Sequence, residues 1–399
     1  MNMNKIAFNI LTVPVLAVLA VSCGGQDEIY KEWVKKGGYD YPAKAINLSS
    51  VIGYQNVIVN WEKPMDPAVR TATLFWDNYA KSIDVDYADY PDGKVSIKVG
   101  ELEDRSYTFD IVNYDDVGNK SLAAEITVSQ YGDGWMVSRS ERTVSSARME
   151  GRDAKIVMSK ATDEMVATRF RYKNLQDEWV ESETVLKPGE NEVTFKDAMK
   201  GKRFEYSSSF CPKDGKDTVW RTWTKSVDGI SYQIDGSRWN VTATNGQYFG
   251  INTPEKIFDG RYDRPAYSWH SSKSDNNKQA FPKILSVDTQ TSAGEEFAFT
   301  GFTFCENNTA ASLRYIKDYT IYVGSSYYNP DDADYLKNFG IPFIGGTLST
   351  SADQYSVNVT QGATGRYIAI VFKNSWNAED GFIDLWELIP YGYIPSLAD

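Results

Sequence analysis

The sequence predicts an all-β protein built from sandwiches of short antiparallel strands, and three observations support this. Apolar and polar residues alternate with a period of two in many short runs, such as Val57–Trp61 and Tyr107–Val112, as in strands with one buried face. Turn residues such as Pro91-Asp92-Gly93 separate these runs at roughly ten-residue spacing. Aromatic residues make up 14% of the chain, with 26 Tyr and 11 Trp, and strands favour aromatic side chains.

Composition excludes several classes of function. The 399 residues carry 42 Lys and Arg against 54 Asp and Glu, a formal net charge of −12, so no basic surface for nucleic acid is expected. The single histidine rules out a zinc site made of several histidines, and any Ser-His-Asp triad would need that one residue.

The N-terminal segment has the pattern of a secretory signal. Residues 1–22 combine a positive charge at Lys5 with an apolar stretch from Ile10 to Val21, which is too short to span a bilayer. The segment ends in Leu19-Ala20-Val21-Ser22-Cys23, which resembles a bacterial lipobox. The resemblance implies that Cys23 is lipidated, and the acidic residues after it resemble a surface-export signal of Bacteroidetes lipoproteins. A plain secretory cleavage site is the alternative.

The period-two pattern divides the mature chain into three β-rich units. After a linker over residues 23–45, we expect sandwiches over 46–130 and 131–228 and a third unit over 229–399. Within the second unit, strict alternation would put Trp220 and Trp223 on opposite faces of a strand. Cys211 and Cys305 lie far apart in sequence, so they are either free thiols or one disulfide between domains.

Residues 29–228 resemble a Bacteroidetes lipoprotein domain family of unknown function. The matching motifs include Tyr30-Lys31-Glu32-Trp33, Tyr107-Thr108-Phe109 and Tyr131-Gly132-Asp133. Together with the strand spacing, they favour two fibronectin-III or immunoglobulin-like sandwiches in tandem. These motifs imply a fold and no chemistry.

The third unit resembles the discoidin, or coagulation factor five/eight type C, fold, whose bacterial relatives include family-32 carbohydrate-binding modules. The resemblance rests on a succession of motifs: Ile257-Phe258-Asp259-Gly260, Ser268-Trp269-His270-Ser271, Phe302-Thr303-Phe304, Gly365-Arg366-Tyr367 and Ile383-Asp384-Leu385-Trp386-Glu387. It implies an eight-stranded antiparallel jelly roll, a galactose-binding-like sandwich whose ligand loops cluster at one end.

The resemblance also implies a carbohydrate site. His270 matches a sugar-contacting histidine of the galactose-binding members, and Trp376 matches their ring-stacking aromatic residue in a late loop. The family's arginine after the central strand is absent, because Cys305-Glu306-Asn307-Asn308 occupies that place. The candidate set adds Arg314 as its nearest substitute and further hydrogen-bonding groups on Asn307, Asn374 and Asn377.

Many discoidin-like modules hold a structural Ca²⁺, and the resemblance places its ligands at Asp259 and Glu387, with Asp263 as a third candidate. An Asp259 that only closes a turn with its own backbone is the alternative.

The architecture favours a non-catalytic glycan-binding lipoprotein of the outer membrane that faces the exterior and is held there by its lipid. The resemblance implies that it works with outer-membrane transporters and glycosidases in glycan uptake. A surface adhesion protein that binds a protein partner through the third unit is the alternative. A glycoside hydrolase is least favoured, because no unit looks like a catalytic barrel.

Overall fold

A computed structural model of the chain describes residues 41–244, 248, 250–261, 268–271, 281–306, 315–349, 353–376 and 383–399. The chain divides into two compact units, Met1–Gly132 and Asp133–Asp399. The structure confirms the all-β class, since the α-helices of the described residues are α1 (Asp133–Val137) and α2 (Tyr335–Phe339), each of five residues. In that part of the chain, no helix has the length and apolar character needed to cross a bilayer.

The first unit holds a seven-stranded antiparallel sandwich. Its strands are β1 (Ile46–Gly53), β2 (Asn56–Glu62), β3 (Thr71–Trp76), β4 (Lys81–Asp86), β5 (Lys94–Val99), β6 (Ser106–Tyr114) and β7 (Ala124–Ser129). One sheet has the order β1-β2-β5 and the other β4-β3-β6-β7. This division into three and four strands is the arrangement predicted for a fibronectin-III-like domain.

The core of the first sandwich consists of the apolar residues in the period-two pattern that the sequence shows. In β2 every second residue is buried, and Trp61 is 1% exposed. Its indole Nε1 donates a hydrogen bond to the Tyr87 hydroxyl at 3.0 Å, and that hydroxyl donates to Oδ1 of the buried Asn113 at 2.8 Å. These two hydrogen bonds therefore satisfy the indole N–H of Trp61 and the hydroxyl of Tyr87 inside the core.

The second sandwich, in the unit Asp133–Asp399, repeats this topology. Its strands are β8 (Val144–Glu150), β9 (Asp153–Met158), β10 (Met165–Lys173), β11 (Trp179–Glu181), β12 (Glu192–Phe195), β13 (Glu205–Phe210), β14 (Val219–Trp220) and β15 (Thr224–Lys225). One sheet has the order β12-β9-β8 and the other β11-β10-β13, with β14 and β15 both pairing with β13. The prediction of two similar sandwiches is confirmed.

The third sandwich packs two five-stranded sheets over an aromatic core. Its strands are β16 (Tyr232–Gln233), β17 (Asn240–Ala243), β18 (Trp269–His270), β19 (Lys283–Asp288), β20 (Phe297–Glu306), β21 (Asp318–Gly324), β22 (Ile344–Thr347), β23 (Gln354–Gly365), β24 (Tyr367–Phe372) and β25 (Asp384–Tyr393). One sheet has the order β16-β25-β20-β23, with β18 also on β25, and the other β17-β19-β24-β21-β22. Phe302, Phe304 and Leu388 of the first sheet meet Ile321 and Ile370 of the second in one buried cluster. The discoidin-like sandwich is confirmed, but ten strands are described where the resemblance implied eight, because the two-residue strands β16 and β18 also pair with β25.

The second and third sandwiches are tied together by direct bonds within their shared unit. The Tyr393 hydroxyl donates to Oδ1 of Asp228 at 2.8 Å, and the Arg203 backbone N–H donates to the Ala398 carbonyl at 2.8 Å. The Asp399 carboxylate pairs with Lys225 at 2.6 Å.

Both cysteines of the described residues are free thiols. Cys305 is buried in β20 and Cys211 is half-buried after β13. The alternative of a disulfide between domains is therefore wrong.

The expectation that Trp220 and Trp223 lie on opposite faces is also wrong. The guanidinium carbon of Arg169 lies 4.5 Å from the ring centroid of Trp220 and 4.6 Å from that of Trp223, so both rings share one face of the sheet. Alternation fails because the chain leaves the ladder between β14 and β15. Arg171 extends this row of stacked arginine and tryptophan side chains. Its guanidinium carbon lies 4.7 Å from the ring centroid of Trp223 and 5.4 Å from that of Trp179.

We predict that Arg169→Ala destabilises the unit Asp133–Asp399 by about 1–2 kcal/mol, because it removes two cation–π contacts worth about 0.5–1 kcal/mol each. Urea unfolding followed by Trp fluorescence measures the change. Arg70→Ala is the control, since Arg70 makes an exposed ion pair with Asp116 and its loss costs about 1 kcal/mol or less. An Arg169→Ala protein no less stable than the control would contradict the prediction.

Candidate functional site

One end of the third sandwich holds the three predicted carbohydrate residues that the structure describes, Trp376, His270 and Asn374. Strand β18 finishes at His270, opposite Asp384 at the start of β25, and β20 finishes at Glu306, whose backbone N–H bonds to Asp353 just before β23. In the other sheet, Phe372 at the end of β24 pairs with Lys283 at the start of β19 and with Tyr319 near the start of β21. We call this end of the third sandwich the site end. Strands β18, β20 and β24 finish there, and strands β19, β21, β23 and β25 begin there.

Trp376 lies at the site end with its ring fixed and partly open. Its indole Nε1 donates to the Leu348 carbonyl at 3.0 Å, and its backbone N–H donates to the Tyr315 carbonyl at 3.0 Å. The Lys317 ammonium lies 4.7 Å from its ring centroid. The residue is 42% exposed, so it presents a held aromatic surface to solvent.

Asn374 holds the base of the Trp376 segment. Its Nδ2 donates to Oδ2 of Asp318 at 2.7 Å, and its Oδ1 accepts from the Asp318 backbone N–H at 2.9 Å. Hydrogen bonds from Thr347 and then Asn374 lower the pKa of Asp318. The structure thus gives Asn374 a positioning role, and its direct contact with a sugar stays a prediction.

His270 lies at the site end but is 6% exposed. Its backbone N–H donates to the Asn252 carbonyl at 3.3 Å, beside the fully buried Trp269. Its contact with a sugar also stays a prediction. The remaining predicted carbohydrate residues lie outside the described residues: Asn307, Arg314 and Asn377.

The sequence analysis missed Glu306, the last residue of β20. It is 4% exposed, its Oε1 accepts from the Ile316 backbone N–H at 2.6 Å, and its Oε2 has no hydrogen-bond partner among the described residues. Burial raises the pKa of its carboxyl to about 8. A charged residue directly after the buried run Phe302–Cys305 was the signal that could have found it.

Tyr315, Lys317 and Asp353 complete the described rim of the site end. Tyr315 lies near the Asp353 and Glu306 carboxyls, and burial, followed by their negative charge, raises the pKa of its hydroxyl. The Lys317 ammonium therefore lies against the Trp376 ring, and two carboxyls lie near the side chain of Tyr315, whose carbonyl accepts from Trp376. Such a set can stack on an apolar ring face and exchange hydrogen bonds with hydroxyl groups.

Two of the three predicted calcium ligands are brought together beside β25. Glu387 is 4% exposed, and its Oε1 accepts from the backbone N–H of Gly260, the residue after Asp259. Burial and then the Asp259 charge raise the pKa of Glu387 to about 8, and its Oε2 has no hydrogen-bond partner in the described part of the chain. Asp263 lies outside that part, which contains no cluster of three or more His, Cys, Asp or Glu residues able to hold a metal. The orphaned oxygen beside a second carboxylate fits a hard cation.

Asp259 also closes its own turn, since its Oδ1 accepts from the Arg261 backbone N–H at 2.9 Å. This is the turn that the sequence analysis gave as the alternative to a calcium role for Asp259. Closing the turn and binding calcium are compatible, because a carboxylate has two oxygens.

We predict that the unit Asp133–Asp399 loses stability as pH rises in buffer with EDTA. Glu306 has a pKa of about 8 in the fold against an ordinary 4.5, so below about pH 4.5 it is protonated in both states. Between about pH 4.5 and 8 the unfolded chain ionises first, and stability falls until the folded carboxyl ionises.

Thermal unfolding at pH 5, 6, 7 and 8 tests this. Glu306→Gln keeps an acceptor for Ile316 but cannot ionise, so its Tm should fall less with pH than that of the wild type. Glu295→Gln, at an exposed position, should follow the wild type. Equal slopes for Glu306→Gln and the wild type would show that Glu306 does not ionise as described.

Comparison with known families gives one match. A family model described as a domain of unknown function, DUF4998, matches residues 23–217, which take in the first sandwich and the second up to the segment before β14. No curated protein matches the chain.

Solved structures similar to the chain are β-sandwich proteins. A family 32 CBM from C. perfringens NanJ, in complex with galactose, is 18% identical over 41% of this chain and 99% of its own, with a TM-score of 0.32. A SusE-like protein is 13% identical over 63% of this chain and 96% of its own, with a TM-score of 0.33. A two-domain fibronectin type-III segment from chicken tenascin is 11% identical over 46% of this chain and 99% of its own, with a TM-score of 0.21. At this level of similarity none of them says what this chain binds.

Proposed function

We propose that the third sandwich binds a glycan at its site end and that the protein is a non-catalytic glycan-binding lipoprotein. The observation that carries the proposal is Trp376, an exposed indole held in place by hydrogen bonds to Leu348 and Tyr315. An exposed ring fixed before binding loses little conformational entropy when a sugar stacks on it.

The groups around Trp376 suit a hydroxylated ligand. Lys317 lies against the indole ring and can donate to sugar hydroxyls, while Asp353 supplies oxygen acceptors near Tyr315. Apolar stacking with a polar rim is how proteins bind sugar rings. His270, Asn307, Arg314, Asn374 and Asn377 complete the proposed set.

Cell-surface location is a further part of the proposal. Its support is the signal segment and the lipobox-like sequence at Cys23, which lie outside the described residues. We propose a lipid anchor at Cys23 in the outer membrane, facing the exterior, with glycan transporters and glycosidases as partners.

A glycan array tests the sugar site. The soluble chain from residue 24 onward should bind selected glycans, and Trp376→Ala should weaken that binding at least ten-fold because it removes the stacking surface. Trp179→Ala is a matched control, since Trp179 is 44% exposed on the second sandwich and should bind like the wild type.

A folded wild-type protein that binds no glycan would contradict the proposal and favour a protein partner for the third sandwich. Glycan binding that persists in Trp376→Ala would place the site elsewhere.

We also propose that Asp259 and Glu387, with Asp263, hold a structural Ca²⁺. When bound, the ion supplies a positive charge that pairs with the buried Glu387 carboxylate and fixes the turn at Gly260. Ca²⁺ at a hundred times its Kd should stabilise the fold by about 2.7 kcal/mol.

Thermal unfolding with Ca²⁺ and with EDTA measures this effect. Glu387→Gln should abolish the rise in Tm on adding Ca²⁺, whereas Glu295→Gln should keep it. An equal rise in Glu387→Gln and the wild type would exclude this residue as a ligand.

A further inference from the structure

A cleft separates the second and third sandwiches at a point that the proposed glycan site does not use. It encloses about 430 Å³ between β8 and residues 227–231 on one side and β20 and β23 on the other. We call it the interdomain cleft. Its size suits one small ligand, and boundaries between domains are common places for such sites.

The cleft exists because two sheet edges face each other there. Strand β8 is the last strand of the sheet β12-β9-β8, and β23 is the last strand of the sheet β16-β25-β20-β23. Ser231 covers the second half of β8, since its backbone N–H donates to the Ala147 carbonyl at 2.9 Å and its carbonyl accepts from Met149 at 2.8 Å. Among the described residues, the first half of β8 pairs with β9 alone. Its Ser145 and Ser146 line the cleft.

Arg148 is the charged group that marks the cleft. Its guanidinium carbon lies 3.6 Å from the ring centroid of Tyr391, and it donates a hydrogen bond to Oδ1 of Asn358. Both partners are neutral, and among the described residues no carboxylate lies within ion-pair distance of Arg148. Burial lowers its pKa. The Glu150 carboxylate on the same strand acts on Arg148 from beyond ion-pair distance. A half-buried guanidinium whose hydrogen-bond partners are neutral can therefore take an anion as a further, direct partner.

The acidic residue of the cleft is already engaged. Asp228 accepts from the Tyr393 hydroxyl at 2.8 Å through Oδ1 and from the Gly362 backbone N–H at 3.2 Å through Oδ2. Each of its carboxylate oxygens therefore has a donor from the third sandwich. Among the residues that line the cleft, Arg148 is the cation and Asp228 the anion, and the hydrogen bonds of Asp228 direct its carboxylate to the third sandwich.

We propose that the interdomain cleft binds a sugar acid, a single sugar ring that carries a carboxylate. The carboxylate pairs with Arg148, whose planar guanidinium has N–H groups beyond the one given to Asn358. The ring hydroxyls bond to hydroxyl and amide side chains that line the cleft, namely Ser145, Ser146, Thr300 and Gln361.

An extended peptide is a poorer fit than a sugar acid. A peptide strand added to the edge of β8 needs about 4.8 Å to each neighbouring strand. Arg148 already bridges β8 to β25 through Tyr391 and to β23 through Asn358. A peptide would have to break these contacts, whereas a single ring can lie beside them.

Saturation-transfer NMR with galacturonate, galactose and acetate tests the proposal on the chain from residue 24 onward. Galacturonate should bind. Galactose and acetate should bind at least ten-fold more weakly, because galactose lacks the carboxylate and acetate lacks the sugar ring. Arg148→Gln, which keeps a donor for Asn358 but no charge, should weaken galacturonate binding at least ten-fold.

Two further variants test whether galacturonate occupies the interdomain cleft itself. Ser146→Leu leaves Arg148 in place but puts a bulky apolar side chain on the cleft wall and removes a hydroxyl, so it should also weaken galacturonate binding. Trp376→Ala should leave galacturonate binding unchanged, which distinguishes this cleft from the proposed site at Trp376.

The proposal is overturned if Trp376→Ala, which lacks the stacking surface of the proposed glycan site, does not bind galacturonate or binds galactose equally well. It is also overturned if Ser146→Leu binds galacturonate like the wild type, even if Arg148→Gln binds it more weakly. The Arg148 charge would then affect binding through the packing of the two sandwiches and not through contact with a ligand in the cleft.

Discussion

The aromatic packing between the two sheets of the third sandwich is the interaction on which the site end depends. Trp269 at the end of β18 lies 5.6 Å from Phe372 at the end of β24, measured between ring centroids, and Phe304 near the end of β20 lies 4.8 Å from Tyr319. These rings fix three strand ends from the inside. His270, Glu306 and Trp376 follow within a few residues, so the core decides where the candidate site residues stand.

The same packing makes it unfavourable for the carboxyl groups of Glu306 and Glu387 to ionise. Glu306 and Glu387 sit on strands whose neighbours are buried apolar residues, and each keeps one carboxylate oxygen without a hydrogen-bond partner among the described residues. A fold selected for stability alone would place neutral residues there. Buried carboxyls of this kind cluster at functional sites, which supports a ligand role for Glu306 and a cation beside Glu387.

The second sandwich contributes rigidity and a second surface. Its row of Arg169, Arg171 and their tryptophans stiffens one sheet, while its edge strand β8 faces the third sandwich. Bonds at Asp228 and Asp399 join the two sandwiches within their shared unit. A boundary between domains is a common place for a ligand site.

The sequence by itself determined the all-β class and the tandem sandwiches, because period-two alternation and turn residues are local properties of the chain. The jelly roll, Trp376 and the pair of Asp259 and Glu387 followed from the resemblance of short motifs to the discoidin family. Tertiary structure alone decided that Trp220 and Trp223 share one face, that Asn374 clamps Asp318, and that Glu306 lies buried at the site end. Tertiary structure also created the cleft at Arg148, because the partners of Arg148, Asn358 and Tyr391, lie more than two hundred residues away in sequence. Strand register and domain contacts set such encounters, and no local pattern encodes them.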